Sequence, residues 1–179
     1  MNASLLTTAG AVLVGAAFLN AQNVVTPARP DPVWESCEEM HDTYVARFDS
    51  SIGFGLSRMA RPQMLDRAGT VDLGQTKYSI QSIELIGLLN RPAPVVYVPL
   101  MHGATVDSKT AQSRPLTDFE QDSLSAFRGG KGIASTPEKS GTMRCMGALH
   151  ANESCLRCHK DKKAGDMLGA FTYELRPRG

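Results

Sequence analysis

"TMRCMGALHANESCLRCHKDKKAGDMLGAFTYEL", residues 142–175, contains two segments that read as strands, residues 142–150 and, more clearly patterned, 167–175. In the second, Met167, Gly169, Phe171, Tyr173 and Leu175 alternate onto one side, because successive side chains of an extended segment point to opposite faces. In the first, residues 142–150, alternation puts His150 on the side away from Cys145 and Leu149. The loop between them carries Cys155, Cys158 and His159.

Upstream, "PLTDFEQDSLSAFRGG" predicts a helix. Thr117 stands as N-cap with Glu120 three residues later, the spacing at which each side chain satisfies a backbone donor of the other. Phe119, Leu124 and Phe127 are expected in the core, and Gly129 and Gly130 as a left-handed stop. The segment after them, "KGIASTPEKSG", reads as a polar loop. An earlier helix is expected to begin at Asp31, with Pro32 at the first helical position, where a missing N–H costs nothing. Trp34, Cys37, His41, Tyr44 and Phe48 recur on its apolar face. Between the two helices the pattern is mostly strand and turn. "TKYSIQSI" alternates in part, "IELIGLLN" reads as either a helical turn or a continuing strand, and "APVVYVPL" is β-rich. The fold class that follows is α+β, a small antiparallel sheet with two main helices.

The 179 residues suit one compact domain with remainder at the ends. A formal net charge of +1 argues against a nucleic-acid partner, which needs a clustered positive face. Residues 1–21 have no charged side chain and an apolar stretch from Leu5 to Leu19, which reads as a signal peptide or an N-terminal anchor. Residues 22–32 read as a Pro-rich linker and 33–179 as the folded domain. Export to the periplasm or another extracytoplasmic space, secreted or membrane-tethered through residues 1–21, is the expected location. There thiols oxidise, so Cys37 and Cys145 are candidates for a disulfide that spacing alone does not decide.

Two cysteines three apart with a histidine next invite three readings. Structural zinc wants a second ligand pair, and Cys37 and Cys145 are single and far apart. A thioredoxin-like dithiol wants a βαβ setting, which the loop lacks. C-x-x-C-H is the attachment signature of c-type haem: two thiols at this spacing bond the two vinyl groups, and the adjacent histidine reaches the iron. Cys155 and Cys158 are therefore the expected thioether sites, His159 the proximal iron ligand, and one covalent haem c per chain the expected cofactor.

"RCMGALHANESCLRCH" leading into "GDMLGAFTYEL" resembles the single-haem c-type cytochromes with a PAS-like c-haem domain, over roughly the last 40 residues. The resemblance implies a PAS-like antiparallel sheet with flanking helices and the haem in the loop before the last strand. It implies electron transfer or sensing, and leaves the sixth ligand open. His41 on the apolar helix face is the favoured candidate. Cys37, one turn earlier, is admitted as a thiolate, and Met101, His102 and His150 are further alternatives. Lys160, Lys162 and Lys163 beside the loop suggest a positive rim for an acidic redox partner. The expected function is single-electron transfer by an exported monohaem cytochrome, to a partner protein or membrane complex. A haem-based redox or gas sensor and a haem subunit of a larger membrane complex are the alternatives. An enzyme is not expected, since no nucleophile–base pair, carboxylate pair or phosphate loop stands out.

Overall fold

The computed structural model describes residues 32–53, 55–61, 64, 69–89, 92–98 and 111–179. The expected export segment, nearly all of the linker, Asp31, Met101 and His102 lie outside the described residues. Helix α1 (Pro32–Ser50) leads into a 3-10 turn (Gly55–Ala60), then strands β1 (Thr70–Leu73), β2 (Thr76–Gly87), β3 (Val95–Tyr97) and β4 (Ser113–Arg114). Helix α2 (Asp118–Arg128), β5 (Ile133–Pro137), a second 3-10 turn (Lys139–Gly141), β6 (Met143–His150), the single-turn helix α3 (Glu153–Leu156) and β7 (Met167–Pro177) complete the order.

The class is α+β. The described strands form one antiparallel sheet in the order β4-β3-β2-β7-β6-β5, with β1 on the first half of β2. It is larger than the small sheet expected from the sequence. Residues expected as a helical turn or a continuing strand extend β2 without interruption to Gly87. A register shift between Ile80 and Ser82 explains the partial alternation there. One extra residue lets Ile80 and Ile83, at odd spacing, join the same core. The segment read as a polar loop contains β5, whose single neighbour among the described strands is β6. An edge strand needs only a half-buried face, and β5 ends on Pro137, as edge strands tolerate.

Both sheet faces are covered. On one, α1 lays down the predicted stripe: Cys37, His41 and Tyr44 are buried, Trp34 and Phe48 partly so. They meet Cys145, Leu149, Phe171, Tyr173 and Leu175. On the other, Leu124 and Phe127 of α2 pack on Ile86, Val96, Met146 and Ala170. Met167, expected beside Phe171, packs with this second core instead. Leu149 pairs with Gly169 but His150 with Met167, so a bulge in β7 reverses the alternation between them.

Cys37 and Cys145 form a disulfide between α1 and β6, with Cα atoms 6.3 Å apart across 108 residues of sequence. The capping box of α2 forms as expected, Thr117 Oγ1 accepting from Glu120 N–H at 3.3 Å and Glu120 accepting from Thr117 N–H at 2.8 Å. Of the two glycines after it, only Gly130 takes a left-handed φ, +97°. Arg114 pins β4 to the rest: it grips the Glu120 carboxylate through two bonds of 2.9 Å and also donates to Glu84. Burial alone would raise the Glu120 carboxyl, but Arg114 and Thr117 outweigh it and hold the group below the ordinary range. Among the described residues no helix is long and apolar enough to cross a membrane.

Candidate functional site

The loop from β6 to β7 is compact and tied at its neck. Ala151 N–H donates to Asp166 O at 2.8 Å, and Gly165 N–H to Ala151 O at 2.9 Å. Inside it Asn152 starts α3: its Oδ1 accepts from the backbone N–H of Ser154 at 2.9 Å and of Cys155 at 3.2 Å. The turn continues beyond the helix, with Cys158 N–H and His159 N–H both donating to Cys155 O, at 3.1 and 3.0 Å. Helical winding thus gathers Cys155, Cys158 and His159 at one end of a single turn. Both cysteines are free thiols, Cys155 half-buried and Cys158 exposed. Asn152 Nδ2 also donates to Asp49 near the end of α1, which anchors the loop to the core helix.

Cys155, Cys158 and His159 line one cavity of about 320 Å³, within the range of organic-cofactor sites. Val45 and Phe48 of α1, Leu56, Leu85, Leu149 and Leu168 make most of its wall apolar. Gly87 and Gly169, directly paired on β2 and β7, form part of its lining on the sheet side. A Cβ on Gly169 would lie 2.6 Å from Ile86 O, and one on Gly87 2.4 Å from the Tyr97 ring, so neither position admits a side chain without rearrangement. Mostly apolar walls with two thiols and an imidazole in the lining fit a largely apolar group bonded through sulfur. Among the described residues no group of three or more Cys, His, Asp or Glu side chains could hold a bare metal ion.

The favoured sixth-ligand residue is elsewhere. His41, on the inner face of α1, is buried at 5 % exposure and is not among the residues lining the cavity. Its Nε2 lies 3.0 Å from Ala148 O and its Nδ1 2.9 Å from Tyr173 Oη. A carbonyl only accepts, so Nε2 carries the proton and donates. In the neutral ring Nδ1 then accepts from the Tyr173 hydroxyl. Burial lowers the His41 pKa, with Ala148 and Asp42 opposing in part, and burial raises that of Tyr173. Both directions favour the neutral pair. The ring also occupies the space over Gly147, where a Cβ would come within 2.4 Å of it. The structure does not bring His41, the favoured sixth-ligand residue, to the cavity: both ring nitrogens are already committed. The thiolate alternative at Cys37 is corrected too, since that sulfur is in the disulfide.

His150, expected on the opposite face from Leu149, lies beside it among the cavity-lining residues, just past the register shift in the β6–β7 pairing. Asp49 and Arg58 also line the cavity. Arg58 sits in the first 3-10 turn, where no local sequence signal marks it. In the exposed part of the loop, Lys162 pairs with Asp161 at 2.8 Å. Over residues 157–166 four cations face two carboxylates.

No curated protein matches this chain, and no solved structure matches it. Residues 101–174 are similar to the family described as Tll0287-like. The matched span takes in β4, α2, β5, β6, the loop between β6 and β7 and nearly all of β7, and leaves out α1, β1, β2 and β3.

Proposed function

We propose that the chain is an extracytoplasmic monohaem c-type cytochrome that passes single electrons, with Cys155 and Cys158 as thioether sites and His159 as proximal ligand. The observation that carries the reading is the meeting of these three side chains at the rim of one apolar cavity, both thiols free while the other two cysteines are bonded to each other. The Tll0287-like similarity spans this motif and supports a cytochrome-like role. The fold reading that goes with it is PAS-like: β2 and β7 side by side at the sheet centre, a helix on each face, and the ligand cavity against the α1 face.

A bound haem would supply a one-electron Fe(III)/Fe(II) couple. The chain's residues do the rest. The Asn152 cap and the bonds to Cys155 O hold the two thiols and His159 in one turn. The apolar wall excludes water. Asp49 holds the loop against α1 through Asn152. For the sixth position, His150 is the one imidazole besides His159 among the described residues that line the cavity. The lysine-bearing loop is a surface for an acidic redox partner, an attraction that salt would screen. Residues 1–21 serve in this reading as export signal or as tether to a membrane complex.

A reduced-minus-oxidised spectrum, taken on protein made with a haem-attachment system and repeated under carbon monoxide, tests the function. Sharp reduced bands that carbon monoxide leaves nearly unchanged are expected of an iron closed on both sides. A large, rapid shift would replace electron transfer by gas binding, the sensor reading.

A further inference from the structure

We propose that Arg58 is the residue that binds a haem propionate, an assignment that rests on the haem reading. Arg58 and Asp49 are the fixed charges among the described residues lining the cavity. A haem brings two carboxylates, and a carboxylate taken partly out of water must find a cation or hydrogen bonds. Arg58 is built to offer them. Its Nε–H donates to Gly53 O at 3.1 Å, and its guanidinium lies over the Phe48 ring, 5.3 Å from the centroid. These contacts fix the plane of the guanidinium while leaving it mostly covered, with its side chain 19 % exposed. The pairing with Asp49 is loose: Nη1 is 4.0 Å from Oδ1, at the limit of an ion pair, while the other oxygen of Asp49 serves Asn152. Nη donors in a fork are therefore held at the cavity without a tight partner of their own, the geometry that binds a carboxylate through two parallel bonds.

Arg61 supplies a control. It folds back in the same way, its Nε–H donating to Ile52 O at 2.8 Å, but it is not among the lining residues. The test uses holo-protein: wild type, Arg58→Gln, Arg58→Lys and Arg61→Gln. Each is checked for covalent haem by its spectrum after denaturation and titrated spectroelectrochemically. Removing the cation beside a propionate leaves negative charge near the iron and favours the ferric form. Arg58→Gln is expected to shift the redox equilibrium at least tenfold toward the oxidised state, about 59 mV for a one-electron couple. Arg58→Lys and Arg61→Gln should stay within threefold of wild type. If Arg58→Gln does not accumulate, Arg58→Lys decides by its own shift: a change of less than threefold together with a normal spectrum supports retained charge, and a tenfold change overturns the assignment. Equal shifts for Arg58→Gln and Arg61→Gln, or none in a haem-bearing Arg58→Gln, would also overturn it. A wild type without haem would instead remove the reading on which it stands.

Discussion

A methyl group placed on Gly147 measures how firmly the His41 cluster organises the core. Gly147 sits on β6 between Ile133 and Phe171. A Cβ there would lie 2.4 Å from His41 Cγ and Nδ1 and 2.5 Å from Cδ2. The ring cannot yield cheaply, being buried and bonded at both nitrogens. Overpacking of this kind costs about 1–3 kcal/mol. Displacing the ring also orphans the Tyr173 hydroxyl and the Ala148 carbonyl, each about 1–3 kcal/mol when buried. Loss of glycine's freedom in the unfolded chain returns about 0.4–1 kcal/mol. Together these come to a loss of about 2–8 kcal/mol, a large part of the stability of a typical domain. Gly132→Ala is the control, since nothing lies within 4 Å of its added methyl. With a urea dependence of about 2 kcal/mol per molar, the Gly147→Ala midpoint should fall about 1–4 M below that of Gly132→Ala. In a His41→Ala background the same change should cost little, because the ring it strikes is gone. Midpoints of Gly147→Ala and Gly132→Ala that coincide would refute the packing argument.

Three further outcomes follow from the same contacts. Replacing Cys37 and Cys145 together by alanine opens a loop spanning 108 residues and should cost about 2–5 kcal/mol; alkylation of the denatured, unreduced wild type should find neither thiol. Arg114→Met leaves the Glu120 carboxylate, at 1 % exposure, without its cation and should cost about 3 kcal/mol in denaturant unfolding; a variant as stable as wild type would mean the pair is replaceable. His41 has a folded pKa below its ordinary 6.5, so the unfolded chain takes up a proton first. Its contribution is fully present above pH 6.5 and is lost as pH falls toward the folded value. His41→Gln should flatten that part of the stability profile, and an unchanged slope below pH 6.5 would contradict the buried neutral ring.

The sequence made legible the elements that local chemistry determines. The stripe on α1 could be read because an amphipathic helix repeats its apolar face. The start of α2 could be read because Thr117 and Glu120 have a reciprocal bond to make. Strands β6 and β7 showed their alternation, and the loop between them showed its motif. What stayed hidden depends on partners far away in sequence. The face of His41 was readable, but Gly147 and Tyr173, which fix its ring, are more than a hundred residues distant. Bulges leave no local mark, so Met167 and His150 were assigned by simple alternation and found elsewhere. Strand β5 offers one buried apolar residue, Ile133, which is too little for a pattern. The surroundings of Arg58 take shape only once the end of α1 and the β6–β7 loop meet.

The proposed function stands on a covalent bond between this polypeptide and a porphyrin. Intact mass of protein made with a haem-attachment system tests it most directly, with Cys155→Ser and Cys155→Ser/Cys158→Ser beside it. A thiol adds across a vinyl group without a leaving group, so wild type should weigh the mature chain plus one whole haem, and the double variant should lose the haem on denaturation. Wild-type protein at the bare mass of its amino acids, colourless after acid-acetone extraction, would contradict it.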